Sequence, residues 1–206
     1  MDNNTEFTFK LLDNIHIFYE IYEACGKKFH NGCGSYLFDG QSYKYCNLMY
    51  DKQLLLYNSV KNAKTVLEIG TYMGHSLLIM LLSNPELKIT CIDISDEYTG
   101  PAVKILNKYF NDAITFIHND SLNALKEINS KFDFFHIDGD HDENYIAKEF
   151  EYCIKLNNSP DNILTIIFDD LCCLRNLQYY IDNNLNVIKN IIPNCSFNNI
   201  FYEIQL

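Results

Sequence analysis

Acidic residues follow two apolar runs in the second half of this 206-residue chain. The runs are FDFFHIDGDH at 132–141 and TIIFDD at 165–170. If they form neighbouring parallel strands, about 4.8 Å apart, Asp138 lies beside Asp169 and Asp170. Three crowded carboxylates repel one another unless a positive charge joins them. The pattern therefore predicts a divalent metal bound by these three aspartates, and their oxygen ligands favour Mg²⁺, with Ca²⁺ or Mn²⁺ as substitutes.

A histidine stands close to the first of these aspartates. His141 follows Asp138 by three residues, and an imidazole with a pKa of about 6.5 accepts a proton close to neutral pH. His141 is therefore the candidate base, with an ordinary helix-start position as the alternative. An N-cap role is the alternative for Asp170. His136 lies within the strand and is expected to be packed or hydrogen-bonded in the interior. The acids that fit helix capping, and are left out of the predicted site, are Asp140, Asp142 and Glu143.

A short glycine loop follows an earlier apolar run, in VLEIGTYMGHS at 66–76. Gly70 and Gly74 permit backbone conformations or close approaches that a side chain would block, and residues 77–82 continue as an apolar helix. The G-x-G-x-x-G pattern of dinucleotide-binding loops is absent, and Glu68 suits a cationic amino group better than a phosphate. S-adenosylmethionine (SAM), which carries an ammonium and a sulfonium, therefore fits this loop better than NAD does.

Two further acids end the next two apolar runs. Asp93 follows the glycine loop by about 20 residues, a position from which a carboxylate accepts hydrogen bonds from ribose hydroxyls. A strand-end turn is the alternative for Asp93. Asp120 is the second acid, and an N-cap on the helix that starts at Ser121 is an equally good interpretation of it.

The motif Glu68-x-Gly70-x-x-x-Gly74 resembles the relaxed first motif of the class I SAM-dependent methyltransferases. The resemblance implies that Asp120 lies beside the adenine amino group of SAM. The cofactor-binding residues that we expect are Glu68, Gly70, Thr71, Tyr72, Gly74, Ser76, Asp93, Asp120 and Asp138.

The segments Ile-Asp-Gly-Asp-His and Ile-Phe-Asp-Asp resemble the small metal-dependent O-methyltransferases of the catechol, caffeoyl-CoA and macrolide-sugar types, over residues 48–206. In those families the matching aspartates bind the metal, and a Lys or His three residues after the first one is the base. The resemblance implies that Asp138, Asp169 and Asp170 bind the metal. It also implies that His141 takes a proton from a small-molecule acceptor with vicinal oxygens.

Strands and helices alternate from residue 65 onward, which predicts a parallel sheet with helices on both faces. Two β-rich runs at 187–192 and 200–204 predict a closing antiparallel hairpin. With the resemblance, this implies an α/β, Rossmann-like, doubly wound fold with a seven-stranded, mostly parallel sheet and an antiparallel C-terminal strand. The other predicted strands are 65–69, 88–94, 114–118, 133–138 and 163–168, and the helices between them are 75–82, 101–110, 121–129, 142–156 and 172–184.

Residues 1–47 are predicted to form an N-terminal helix and loop extension of the methyltransferase domain at 48–206. Apolar residues at helical spacing predict one helix from Phe9 to Cys25, then a loop, and a second helix over 48–60. We expect this extension to cover the active site as a substrate lid or to pair with another subunit in a homodimer.

Composition narrows the choice of partners. The net charge is −11 and Arg175 is the single arginine, whereas nucleic-acid binding needs clustered Lys and Arg. No run approaches the roughly 20 apolar residues of a membrane span, and a signal-peptide pattern is absent. These features predict a cytoplasmic protein that binds neither nucleic acid nor membrane. Its eight cysteines are expected to be reduced thiols, and missing C-x2-C pairs disfavour a zinc site from Cys25, His30, Cys33 and Cys46.

The leading hypothesis from the sequence is a SAM- and metal-dependent O-methyltransferase. The first alternative is a methyltransferase-fold protein that binds SAM or a nucleoside without catalysis, although Asp138, His141 and Asp169 are all present. The second is an NAD-dependent oxidoreductase, which the loop sequence disfavours. An amino-methylating nucleic-acid enzyme is disfavoured because Asp138-Gly-Asp-His replaces the expected Asp/Asn-Pro-Pro-aromatic motif.

Overall fold

The structure is a computed structural model that describes residues 3–27, 47–193 and 199–206. Within these residues the helices are α1 (Asn3–Asp13), α2 (Ile15–Ala24), α3 (Asn47–Ser59), α4 (His75–Ser83), α5 (Asp96–Tyr109), α6 (Ser121–Glu127), α7 (Glu143–Leu156) and α8 (Arg175–Asn184), with a 3₁₀ helix at Leu171–Cys173. The strands are β1 (Thr65–Ile69), β2 (Lys88–Asp93), β3 (Ile114–His118), β4 (Phe134–Ile137), β5 (Ile163–Phe168), β6 (Asn186–Ile191) and β7 (Ile200–Gln205). None of these helices is long and apolar enough to cross a membrane.

The strands form one seven-stranded sheet in the order β3-β2-β1-β4-β5-β7-β6. Strands β1 to β5 pair in parallel, whereas β7 runs antiparallel between β5 and β6. The predicted sheet and its closing hairpin are confirmed. The chain order reverses between β1 and β4, and in open α/β sheets a ligand binds outside the carboxyl ends of the strands at such a point.

The sequence of β1 shows why helices cover both faces of the sheet. Four of its five residues are buried. Val66 packs in one hydrophobic cluster, and the next residue, Leu67, packs in the other. Because side chains alternate across a strand, consecutive apolar residues supply two opposite cores. The carboxyl end of β1 is therefore held from both sides.

The N-terminal helices take part in this packing. The prediction of one helix from Phe9 to Cys25 is wrong, because the chain breaks at Asn14 (φ −109°, ψ 14°) into α1 and α2. Phe7 and Phe18 are completely buried and belong to the cluster that contains α4. The two helices thus pack on α3, α4 and α5, on the side of the sheet that this cluster fills. Residues 28–46, which include most of the predicted loop and part of the predicted lid, lie outside the described residues.

Two other helices differ from the prediction. Helix α5 begins before residue 101, because the Ser95 side chain caps it by accepting a hydrogen bond from the Glu97 N–H, and Pro101 then lies inside the helix. The helix predicted at 172–184 is a 3₁₀ helix followed by α8. The other predicted bounds from residue 48 onward agree with the structure within two residues.

The cysteines that the structure describes are free thiols, and Cys25, Cys91 and Cys153 are buried. Cys91 lies in β2 and Cys153 in α7. His30, Cys33 and Cys46 lie outside the described residues.

Phe18→Ala is expected to lower the free energy of unfolding by about 3–5 kcal/mol, because it empties a fully buried site in α2. Phe9→Ala, on the exposed side of α1, is the control and should change that free energy by less than about 0.5 kcal/mol. Urea denaturation followed by circular dichroism measures both. If Phe18→Ala lowers the free energy of unfolding as little as Phe9→Ala does, α2 does not belong to the folded core.

Candidate functional site

The candidate site lies where the loops after β1 and β4 touch. Gly70 has a φ of +78°, and a Cβ built on it would fall 1.9 Å from the backbone oxygen of Asp138. Its N–H donates to the Ile92 carbonyl at 2.9 Å. Only glycine allows this conformation and this contact together. The glycine loop and the acidic end of β4 therefore form one continuous surface.

Glu68, predicted to meet a cofactor ammonium, is completely buried in β1. Its Oε2 accepts a hydrogen bond from Thr71 Oγ1 at 2.9 Å, and its Oε1 lies 2.9 Å from His136 Nδ1. The His136 contact follows from the strand register, which pairs Glu68 with His136 across β1 and β4. Glu68 therefore joins the glycine loop to β4.

Asp93 also supports the glycine loop. Its Oδ2 accepts the backbone N–H groups of Thr71 and Tyr72 at 2.9 and 2.8 Å, and its Oδ1 accepts the N–H of Ser95 at 2.8 Å. The strand-end turn that was the alternative for Asp93 is present in the structure. The carboxylate remains partly exposed, so its contact with ribose hydroxyls stays a prediction.

The end of the loop leads into α4. Gly74 is the N-cap of this helix in a left-handed conformation, with a φ of +67° and ψ of 23°, and Ser76 is half-buried in the first turn. Tyr72, also at positive φ, has its ring centroid 4.8 Å from that of Tyr98. The loop thus ends at a helix N-terminus, and its Tyr72 packs on Tyr98 of α5.

Asp120 is the N-cap of α6. Its Oδ1 accepts the N–H of Asn123 at 3.0 Å, and its Oδ2 accepts a hydrogen bond from the hydroxyl of Tyr145. The Tyr145 hydrogen bond lowers the pKa of the Asp120 carboxyl, against a smaller opposing effect of burial. The capping interpretation is confirmed, and the adenine contact stays a prediction.

Three described residues bring ligand atoms to within 4.8 Å of one another: His136, Asp138 and Asp169. Asp138 is exposed to solvent at the carboxyl end of β4, although many protein atoms surround its carboxyl group. Burial among those atoms raises its pKa well above the usual value, and the Asp169 carboxylate raises the pKa further, while the Lys52 ammonium opposes both effects. The cluster therefore holds more negative charge than its surroundings balance.

Lys52 on α3 donates a hydrogen bond from its ammonium to Asp169 Oδ2. Burial lowers the pKa of Lys52, but the carboxylates of Asp169, Asp138 and Asp170 outweigh that effect, so that its pKa is raised. Sequence reasoning missed this residue, since it lies 117 positions before its partner and no motif marks it. A lysine in the predicted helix before the glycine loop is the only signal that the sequence offers.

His141 and Asp170 form a second pair at the edge of the cluster, with 2.9 Å between His141 Nε2 and Asp170 Oδ2. Asp170 has a left-handed backbone conformation (φ 35°, ψ 54°) and makes no side-chain capping hydrogen bond. Such strain in a residue other than glycine is concentrated at functional sites. The structure thus brings His136 together with Asp138 and Asp169, whereas Asp170 faces the predicted base.

The acids left out of the predicted site have structural contacts. Asp142 is the N-cap of α7 and accepts the N–H groups of Asn144 and Tyr145. Asp140 accepts the N–H of Asp142 at 2.7 Å. The Glu143 side chain accepts hydrogen bonds at the start of α8, from the backbone N–H groups of residues 176 and 177. The Asp142 cap is confirmed, whereas Glu143 caps α8 and not its own helix.

The residues at the cluster fit a divalent cation. Asp169 Oδ1 is buried and finds no hydrogen-bond partner among the described residues, and an unpaired buried polar atom is costly. Asp138 offers a second carboxylate. His136 adds a nitrogen ligand, and the contact of its Nδ1 with Glu68 would fix the orientation of the ring. Carboxylates at the open end of a sheet suit a hard cation such as Mg²⁺ or Mn²⁺.

The strand order and the glycine loop after β1 define a Rossmann-like fold of the methyltransferase type. A family model described as O-methyltransferase matches residues 49–167. Because this match covers more than half of the 206 residues, the chain belongs to the O-methyltransferase family.

Individual known proteins agree with this assignment. A protein of Arabidopsis thaliana named as a caffeoyl-CoA O-methyltransferase is 37% identical over 100 residues, which are 47% of this chain and 43% of that protein. The chain spans less than half the length of the curated relatives it matches.

Two solved structures share the fold. The O-methyltransferase from Bacillus cereus, in complex with SAH, has a TM-score of 0.58 and 20% identity over 74% of this chain and 78% of its own. The O-methyltransferase TomG from Streptomyces achromogenes, in complex with SAM, has a TM-score of 0.68 and 12% identity over 100% of both chains.

Gly70→Ala is expected to lower the free energy of unfolding by about 3 kcal/mol or more, because the new Cβ meets the Asp138 backbone in addition to its left-handed strain. Gly26→Ala is the matched control, since Gly26 has a similar φ of +73° with nothing within 4 Å of its Cβ position. It should lose only about 1–2 kcal/mol. Chemical denaturation of both variants gives the comparison, and equal losses would contradict the close contact of the two loops.

Proposed function

We propose that this protein is a SAM-dependent O-methyltransferase that uses a divalent cation to methylate a small molecule with vicinal oxygens. The observation that carries the proposal is the buried Asp169 Oδ1, which has no hydrogen-bond partner within residues 3–27, 47–193 and 199–206. It lies beside Asp138, whose backbone touches the glycine loop. Membership of the O-methyltransferase family supports the reaction type. The net charge of −11 supports a small acceptor over nucleic acid.

The donor would bind along the glycine loop. The N-terminus of α4 and the ring of Tyr72 would line its pocket, with Asp93 at the ribose and Asp120 near the adenine. Glu68, Thr71 and the backbone of Gly70 hold the loop in shape, as their hydrogen bonds to β2 and β4 indicate. Gly74 and Ser76 would complete the wall at the helix start. The preformed loop lowers the entropy that SAM binding must offset.

Asp138 and Asp169 would hold the cation, with His136 as a nitrogen ligand and Asp170 close by. A bound divalent cation lowers the pKa of a hydroxyl that it binds, which makes that hydroxyl a better nucleophile. The protein residues supply orientation: β4 and β5 are fixed in parallel register, and the Asp169 N–H donates to the Ile137 carbonyl at 2.8 Å. Holding the attacking oxygen in line with the methyl group and the sulfur contributes the rest of the rate.

His141 is the proposed base. Its contact with Asp170 Oδ2 is consistent with an Nε2–H that donates to the carboxylate, which leaves the Nδ1 lone pair free to accept a proton. The tautomer is inferred from the hydrogen bond. His141 is largely exposed, so the proton can pass to solvent after the methyl group has moved.

Asp169→Asn is expected to lower SAM-dependent methylation of a catechol by about 100-fold or more at saturating Mg²⁺, because a catalytic cation contributes several kcal/mol and each 1.36 kcal/mol is tenfold in rate. The measurement is transfer of a labelled methyl group from SAM. Asp161→Asn, at the opposite and exposed end of β5, is the matched control and should keep wild-type activity.

Two further results would count against the proposal. Full wild-type activity with a chelator present would remove the metal from the reaction. Binding of NAD but not SAM in a calorimetric titration would refute the methyltransferase itself.

A further inference from the structure

Lys52 places a cation inside the carboxylate cluster. Its ammonium is bonded to Asp169 Oδ2, and the exposed fractions of the two side chains are 15% for Lys52 and 6% for Asp169. Removing one partner of a buried ion pair leaves an uncompensated charge and strongly destabilises the protein. In the absence of any other cation, Lys52 is therefore the group that pairs with Asp169 inside the protein.

The backbone of Lys52 is fixed, whereas its side chain can move. Three residues that follow Lys52 in or next to α3 are buried in the hydrophobic core: Leu56, Tyr57 and Val60. They hold the helix in place. A lysine side chain is a flexible chain of four carbons that ends in an ammonium, so its charged end can turn to solvent from the same backbone position. A change at the cluster would therefore move the ammonium rather than the helix.

Two kinds of cation can offset the charge of the cluster. The three carboxylates of Asp138, Asp169 and Asp170 carry −3 when ionised, and Lys52 alone reduces this to −2. A divalent cation in its place would reduce the charge further, to −1. The ammonium and the cation both need the Asp169 carboxylate, which has one oxygen on Lys52 and one without a hydrogen-bond partner among the described residues. Two cations that share one carboxylate also repel each other.

We propose that Lys52 competes with the metal for Asp169, so that metal binding moves its ammonium away from the carboxylate. This inference rests on the proposed metal site and adds a control on its affinity. Lys52 keeps the metal-free protein stable by neutralising a buried aspartate. The same residue weakens metal binding, because the incoming cation must replace an ion pair that already exists. Lys52 thus sets how tightly the site binds the metal.

Lys52→Met keeps the length of the side chain and removes its charge. We expect it to bind Mn²⁺ about tenfold more tightly than the wild type, because the cation no longer has to replace the ion pair on Asp169, and separating two unit charges in contact has an effect of about that size even in a dielectric like that of water. Its metal-free thermal midpoint should fall, and saturating Mn²⁺ should restore most of the loss. Isothermal titration calorimetry and thermal unfolding, with and without Mn²⁺, measure both effects.

Two controls separate this competition from a general change of charge. Lys52→Arg keeps the cation and should bind Mn²⁺ within about threefold of the wild type. Lys108→Met removes an exposed lysine on α5 that pairs with Glu20 on α2. It should leave the Mn²⁺ affinity unchanged. Tighter binding by Lys52→Met alone supports the competition.

The outcomes distinguish this inference from the proposed function. If the wild type binds Mn²⁺ and Lys52→Met binds it equally or more weakly, the competition is refuted and the methyltransferase proposal stands. If neither protein binds Mn²⁺, both the competition and the metal role are refuted. If Lys52→Met binds Mn²⁺ and the wild type does not, the ammonium blocks the site and the inference is supported in its strongest form.

Discussion

The site depends on the buried carboxylate of Asp169 and on how its charge is balanced. The parallel register of β4 and β5 brings Asp169 beside Asp138, and the pKa of Asp138 is raised by this crowding and by burial. One oxygen of Asp169 is bonded to the Lys52 ammonium and the other is unpartnered among the described residues. A carboxylate in this state pairs with one cation and presents its other oxygen to a cation that would compete with the first.

A chain of polar contacts links this cluster to the glycine loop. His136 is in the cluster and contacts Glu68, Glu68 accepts from Thr71, and the Thr71 N–H donates to Asp93. These groups are fixed by two buried strands, so the loop and the carboxylates share one rigid frame. In a methyl transfer that needs an oxygen, a methyl group and a sulfur in line, a shared frame holds the donor side and the acceptor side at a constant separation.

The sequence predicted the residues that follow from position along a strand. Strands alternating with helices place Asp93, Asp120, Asp138 and Asp169 after the carboxyl ends of strands, and the structure agrees. Lys52 could not be predicted, because its contact depends on how α3 packs against the sheet and not on any local pattern. The place of His136 in the cluster could have been predicted, because residues two apart on a strand lie on the same face and His136 stands two residues before Asp138. The break at Asn14 and the early start of α5 depend on local backbone geometry and capping that helical periodicity does not show.

The most direct test of the account is a crystal structure of the protein with Mn²⁺ and S-adenosylhomocysteine, with the metal located by its anomalous scattering. We expect an anomalous peak from an Mn²⁺ ion bound by the carboxylates of Asp138 and Asp169. We also expect the nucleoside along the loop at Gly70–Gly74 and the Lys52 ammonium displaced from Asp169. A structure with the nucleoside bound, no anomalous peak at the cluster and Lys52 still bonded to Asp169 would contradict it.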